Sequence, residues 1–296
     1  DQREIFTSSA LDEYLLDAER DVRRRARVIA ARDEPSLERF LPMRGGGVLL
    51  SASDIETYRA CPLRYKFARV FRIPQDPTLH QRFGIAVHQV LERYHAHDQS
   101  ADGDGGSASD PSGGSLTDLL TLLETSWRRG GFGDSDEERQ LHQKAVSALT
   151  RYHERTRTDP ARPVWFERSF TFKLGPHLVR GRVDRVDRLP SGEYELIDYK
   201  TGRPRTAEQL IGDVQLSLYA IAAREAWGLE ATRGAYHYLL DDVKVAVSGD
   251  PDRAEWIRGV AIDVADGIRA QEFEPTPSPG TCRLCDYRLV CPAAER

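Results

Sequence analysis

The sequence predicts an α/β protein: a small twisted mixed sheet flanked by helices, with a helical N-terminal part. Three observations lead there. The first half of the chain carries helix-length segments with apolar residues on one face. From Val164 the apolar period shortens to that of strands. Two later helical segments, Ala207–Trp227 and Arg253–Gln271, alternate with short strand-like runs.

The elements follow in order. Asp12–Arg32 reads as a mixed-charge helix, so residues 1–47 form a helical connector that ends at Gly45-Gly46-Gly47. Ser51 caps the next helix, because Asp54 stands three residues later as in a capping box. That helix is expected to run to Cys61 and on towards Phe71. Phe83–His97 is helical, and residues 97–115, rich in Gly, Ser and Asp, read as a disordered insertion. Helices return at Leu116–Arg129 and Glu137–Thr156. Val164–Phe172, Leu178–Leu189 and Glu193–Tyr199 alternate like strands, as do Ala235–Leu240 and Val243–Val247 after the Ala207–Trp227 helix. In the Arg253–Gln271 helix, Ile257, Val260, Ala261, Val264 and Ile268 share one face. Residues 48–296 are therefore read as one domain bearing the insertion.

With 40% hydrophobic and 30% charged residues, the composition is that of an ordinary globular protein. No apolar run approaches the roughly 20 residues that span a bilayer, and no basic-then-apolar leader is present; the expected location is cytoplasmic, with no membrane partner. The first residue is Asp1 and the single methionine is Met43, which reads as a piece of a longer protein. Without a Gly-Lys pair there is no phosphate-cradling nucleotide loop. The net charge of −5 is not that of a simple nucleic-acid binder, but cations cluster locally at Arg64, Lys66, Arg69 and Arg72, and again around Arg180–Arg205.

Chemistry concentrates between Gly181 and Gly202. Pro190-Ser191-Gly192 is a turn signal between two strand-like runs. A hairpin centred on Ser191 sets Asp184 opposite Asp198, on one face of the sheet. Opposed side chains lie about 4.5–5.5 Å apart, where like charges destabilise. A divalent cation between the carboxylates would offset that repulsion; a surface hairpin with exchangeable Asp–Arg and Asp–Lys pairs would also accommodate it. Asp198 and Lys200 share a face, whereas the Tyr199 side chain points away and leaves its carbonyl as a possible ligand.

The four cysteines are Cys61, Cys282, Cys285 and Cys291. A compact C-terminal trio with one remote partner reads as a four-thiolate metal site, of either zinc or iron and sulfur. A structural zinc site more often shows two short pairs.

At these residues the chain resembles the PD-(D/E)XK nuclease superfamily, in its RecB-like branch. Asp184 matches the first acidic motif and Asp198-Tyr199-Lys200 the D-x-K motif; Gly84–His88 matches the helical G-x-x-x-H, and Gln215–Tyr219 matches Q-x-x-x-Y. Glu167 falls where the branch often carries a further acid. The resemblance runs from about Leu49 to the C-terminus and implies a restriction-endonuclease-like core. It implies Mg²⁺ or Mn²⁺ held by His88, Asp184, Asp198 and the Tyr199 carbonyl. Lys200 would orient the attacking water, and Gln215 and Tyr219 would position Lys200 or the DNA. The cysteines resemble the [4Fe–4S] staple of AddB-type nucleases, with Zn²⁺ as the alternative. The implied partners are DNA, single-stranded or at ends, with Arg64–Arg72 tracking phosphates, and a UvrD-like helicase motor acting in repair or recombination. A free-standing exonuclease of the CRISPR-associated kind and a non-catalytic DNA-binding module are the other readings.

Overall fold

The computed structural model of the protein describes residues 36–99, 114–211, 213–229 and 231–295. The expected Asp12–Arg32 helix and residues 100–113 of the expected insertion lie outside them. In chain order the elements are β1 (Met43–Arg44), β2 (Gly47–Leu50), α1 (Ala52–Ala60), α2 (Pro62–Tyr65), α3 (Leu79–Gln99), α4 (Leu116–Arg129) and α5 (Asp136–Thr158). Then come β3 (Arg162–Leu174), β4 (His177–Arg188), β5 (Tyr194–Lys200), α6 (Val214–Trp227), β6 (Ala231–Tyr238), β7 (Val243–Ser248), α7 (Pro251–Arg269) and α8 (Pro279–Arg283). No helix among the described residues is long and apolar enough to cross a membrane. The chain divides into two compact units. One draws on Asp1–Gln75, Lys173–Val179 and Arg258–Arg296, and the other on Asp76–Phe172 and Arg180–Ile257.

The larger unit holds the expected mixed sheet. β5 is antiparallel to β4 and parallel to β6, β6 is antiparallel to β7, and β3 pairs with β4. The β4–β5 register joins Arg185 to Ile197, Asp187 to Glu195 and Arg188 to Tyr194, so the hairpin is centred on Ser191 as expected. Gly192 closes the turn at φ +88°. α6 covers one face, where Gly234 lets Leu216 approach β6 closely. From the other face Ile197, Tyr199 and Ala235 enter a core with Phe83 and Leu91 of α3, Leu123 of α4, and Leu149 and Tyr152 of α5. α4 and α5 start at full capping boxes, Ser115 with Asp118 and Ser135 with Glu138. The helix expected over Ala207–Trp227 is shorter: a single 3₁₀ turn at Glu208–Leu210 precedes α6. Asp213 is the reason, since its carboxylate takes the Leu216 N–H and starts a new helix there.

In the smaller unit Ser51 and Asp54 form the expected capping box. The glycine tract does more than end a section. Gly45 and Gly46, at φ +60° and +85°, make a two-residue turn that pairs Arg44 with Gly47 and Met43 with Val48. β2 then lies parallel to the first residues of β4, Leu49 against Leu178. α1 does not continue to Phe71. It ends at Ala60, Cys61 is extended (φ −167°, ψ 114°), and helix resumes at Pro62. Proline lacks the N–H that a continuing helix needs and drives the preceding residue out of helical geometry. Tyr65 stacks on Phe273, Phe67 meets Tyr287 edge-on, and the Tyr58 hydroxyl donates to the Glu272 carbonyl. These contacts hold residues 58–73 against the C-terminal segment.

Candidate metal centre and cysteine cluster

The candidate metal centre belongs to the larger unit. α3 supplies His88, β3 Glu167, β4 Asp184, β5 Asp198 and Lys200, and α6 Gln215 and Tyr219. Ligand atoms of His88, Glu167 and Asp184 all lie within 4.8 Å of one another, and His88 Nδ1 is 3.4 Å from Asp184 Oδ2. Burial first, and the Asp198 carboxylate second, push the Asp184 carboxyl well above its usual range. Burial likewise raises Glu167 to about 7, against the lowering pull of Arg182. Burial depresses His88, which favours the neutral imidazole that binds metals. Buried oxygen ligands crowded at this spacing fit a hard divalent cation.

Asp198 is held differently. Lys200 Nζ lies 2.7 Å from its Oδ2, while Gln215 Nε2 donates to Oδ1 at 2.7 Å and the Tyr219 hydroxyl lies 2.8 Å from the same oxygen. The Lys200 ammonium also donates to Gln215 Oε1 at 2.8 Å. The Q-x-x-x-Y pair thus grips Asp198 and Lys200 together, because residues four apart share a helix face. The repulsion between the two aspartates is relieved in part without an ion. Lys200 pairs with Asp198, and the Tyr199 N–H donates to Asp184 Oδ2 at 2.7 Å. The Tyr199 backbone raises the His88 imidazole, against the larger effect of burial. Gly84 has its own reason: a Cβ there would stand 3.2 Å from Thr201 Oγ1, so the glycine brings α3 close to the end of β5.

Glu167 sits in the left-handed region, at φ +51°. A non-glycine residue held there carries strain of a kind that gathers at functional sites. Sequence reasoning missed Tyr236 altogether. The parallel β5–β6 register sets it beside Asp198; its ring lies 4.5 Å from Lys200 Nζ and its hydroxyl donates to Asp213 Oδ1 at 2.7 Å. No local pattern announces a parallel partner. Arg182 was seen only as one of many cations, yet it bridges Glu167 at 2.8 Å and Glu92 at 3.1 Å.

Within the Arg64–Arg72 stretch cations have partners inside the protein. Lys66 is buried, Arg64 pairs with Asp286 and Arg69 with Asp54, while Arg72 is exposed. Arg185, counted in the second basic stretch, is buried on Asp187.

The four cysteines belong to the smaller unit. The break at Pro62 presents Cys61, and α8 and the loop after it present Cys282, Cys285 and Cys291. Burial pushes the Cys285 and Cys291 thiols up, and Cys61 is near enough to raise both further. The backbone at Tyr287 and at Ala293 acts against that rise, lowering the Cys285 and Cys291 thiols respectively. A metal ion would supply the positive charge that holds such buried thiols as thiolates, the metal-binding form.

The mixed sheet thus brings two buried aspartates, a D-x-K lysine, a histidine and a glutamate together as a candidate divalent-metal site. The sequence profile of the PD-(D/E)XK nuclease superfamily matches residues 49–292, and the chain belongs to that superfamily. It is similar to the Gene 69 protein of Mycobacterium phage D29, 28% identical over 267 residues covering 82% of this chain and 96% of that one. The Gene 69 protein of Mycobacterium phage L5 is 26% identical over 288 residues, with the same coverage of each chain. A solved structure of a candidate exonuclease from Eubacterium rectale aligns at 12% identity over 82% of this chain and 87% of that one, with a TM-score of 0.49; a likeness so distant carries no weight on the reaction.

Proposed function

We propose that the chain is a divalent-metal-dependent DNA nuclease that hydrolyses phosphodiester bonds, acting as an exonuclease at DNA ends or on single strands. The observation that supports this best is the convergence of His88, Glu167 and Asp184 beside the Asp198–Lys200 ion pair. His88, Glu167 and Asp184 would hold Mg²⁺ or Mn²⁺, with Asp198 and the Tyr199 carbonyl completing the set. Such an ion lowers the pKa of bound water and stabilises charge on phosphate oxygens. Lys200, fixed by Asp198 and Gln215, presents its ammonium where a water or a phosphate oxygen would sit. The water oxygen bonds to phosphorus as the bond to the leaving oxygen breaks, and the leaving oxygen takes a proton. Gln215 and Tyr219 keep Asp198 and Lys200 in place.

We further infer that Cys61, Cys282, Cys285 and Cys291 hold a [4Fe–4S] cluster. Zinc–sulfur bonds of about 2.3 Å set tetrahedral sulfurs roughly 3.8 Å apart. That geometry suits two short cysteine pairs, whereas one remote cysteine with a compact C-terminal trio supports the iron–sulfur reading. The chain would work with a helicase motor in DNA repair or recombination; that placement rests on likeness to the RecB-like branch alone.

The test is cleavage of end-labelled single-stranded DNA by anaerobically purified protein with Mg²⁺ or Mn²⁺, beside Lys200→Ala and an EDTA control. Cleavage that needs the metal and is lost in the variant supports the reading. Protein that carries its iron and binds Mn²⁺ yet leaves DNA intact speaks for a DNA-binding module.

A further inference from the structure

On the sheet face opposite the metal centre lies a buried polar chain that the proposed reaction does not use. The Tyr199 hydroxyl is 2.6 Å from that of Tyr152. The Tyr152 hydroxyl also meets His95 Nε2 at 2.7 Å and takes a bond from Arg185 Nη1 at 3.3 Å. Arg185 Nε in turn donates to Asp187 Oδ1 at 2.6 Å. All five residues are buried. Buried polar groups are costly unless they are satisfied, and replacing a buried ion pair with apolar residues is often neutral or stabilising. Stability alone therefore does not account for this chain.

The geometry of β5 supplies a use. Side chains alternate across a strand, so Tyr199 points into this network while Asp198 and Lys200 point to the metal centre. The backbone of Tyr199 serves that centre directly, its N–H bonded to Asp184 Oδ2 at 2.7 Å. Arg185 anchors the facing strand at the residue after Asp184. Gripping Tyr199 and Arg185 from behind thus sets where both aspartates stand.

We propose that Tyr199, Tyr152 and Arg185 form a positioning network, and that this network, through the backbone of β4 and β5, sets divalent-metal affinity on the opposite face. The proposal rests on the metal reading given above. Outer-shell partners of metal ligands are worth 10–100-fold in affinity or activity, and a network acting through the backbone belongs at the lower end of that range.

The experiment is a Mn²⁺ titration of the full chain by calorimetry without DNA, followed by cleavage at rising Mn²⁺. The variants are Tyr199→Phe and Tyr152→Phe, with Tyr94→Phe as control. Tyr94 loses comparable buried bonds, to His153 at 2.7 Å and the Gly114 carbonyl at 2.8 Å, but does not touch the Tyr199 backbone. Tyr199→Phe and Tyr152→Phe should weaken Mn²⁺ binding about 10-fold and regain near wild-type cleavage at saturating Mn²⁺, with Tyr94→Phe binding normally. Wild-type Mn²⁺ affinity in both folded variants, or equal weakening by Tyr94→Phe, would overturn the proposal. Wild-type protein that binds no Mn²⁺ would instead overturn the metal reading beneath it.

Discussion

Lys200 has three close neighbours, Asp198, Gln215 and the ring of Tyr236, and each holds the ammonium over the carboxylate cluster. Removing a pre-organised donor of this kind costs about 10²–10³ in rate. Lys200→Ala should therefore lower kcat on that scale while Mn²⁺ affinity, measured by titration, changes little. Glu167 carries a second prediction. Burial raises its folded-state pKa to about 7 from an ordinary 4.5. A carboxyl raised in the folded state contributes stability below its unfolded value, and that contribution is lost as pH rises through the folded value. Metal-free protein in EDTA should lose thermal stability between about pH 4.5 and 7, and Glu167→Gln should flatten that part of the profile. An unchanged profile in the variant would mean that Glu167 is not the group that titrates. D-x-K and G-x-x-x-H were legible because each lies within one element, whereas the left-handed backbone of Glu167 had no local signal.

At the scale of elements, short polar signals decide where helices start and stop. The Ser135–Glu138 box opens α5, a helix that carries none of the proposed metal ligands. Ser135→Ala should cost about 1 kcal/mol, or about 2–4 °C in Tm for a chain of this size, with Mn²⁺ binding intact. Pro62 has a different kind of consequence. Its break holds Cys61 extended between two helices, and Pro62→Ala should let α1 run on and turn Cys61 away from its partners. Iron per chain, measured on anaerobically purified variant, should fall; full iron occupancy would show that the break does not matter. The same signals misled where two acted together. The apolar pattern over Ala207–Trp227 carries through Asp213, whose capping bond interrupts the helix.

Over the whole molecule, the cysteine site would close the long chain segment between Cys61 and Cys282, within which every proposed ligand of the metal centre falls. A cross-link closing a loop longer than 100 residues is worth on the order of 5 kcal/mol by chain entropy, and metal binding couples to folding. Cys61→Ser should thus lower Tm far more than Asp198→Asn does, a comparison read by calorimetry under anaerobic conditions. Equal losses would indicate that the cysteines add no constraint. The division into two compact units was not legible from the sequence. It depends on strands β3 and β4, which pass from one unit to the other within a continuous apolar pattern.

The sequence by itself determined the strand and helix periods and the Ser191-centred hairpin. These are short-range properties, set by alternation, turn chemistry and capping within a few residues. Tertiary structure alone decided that Tyr236 stands beside Lys200, that Arg185 and Lys66 are buried, and that Glu167 comes within 4.8 Å of His88 and Asp184. Each of these depends on which strands become neighbours across long sequence separations, and side-chain period does not encode parallel pairing or the burial of a charge.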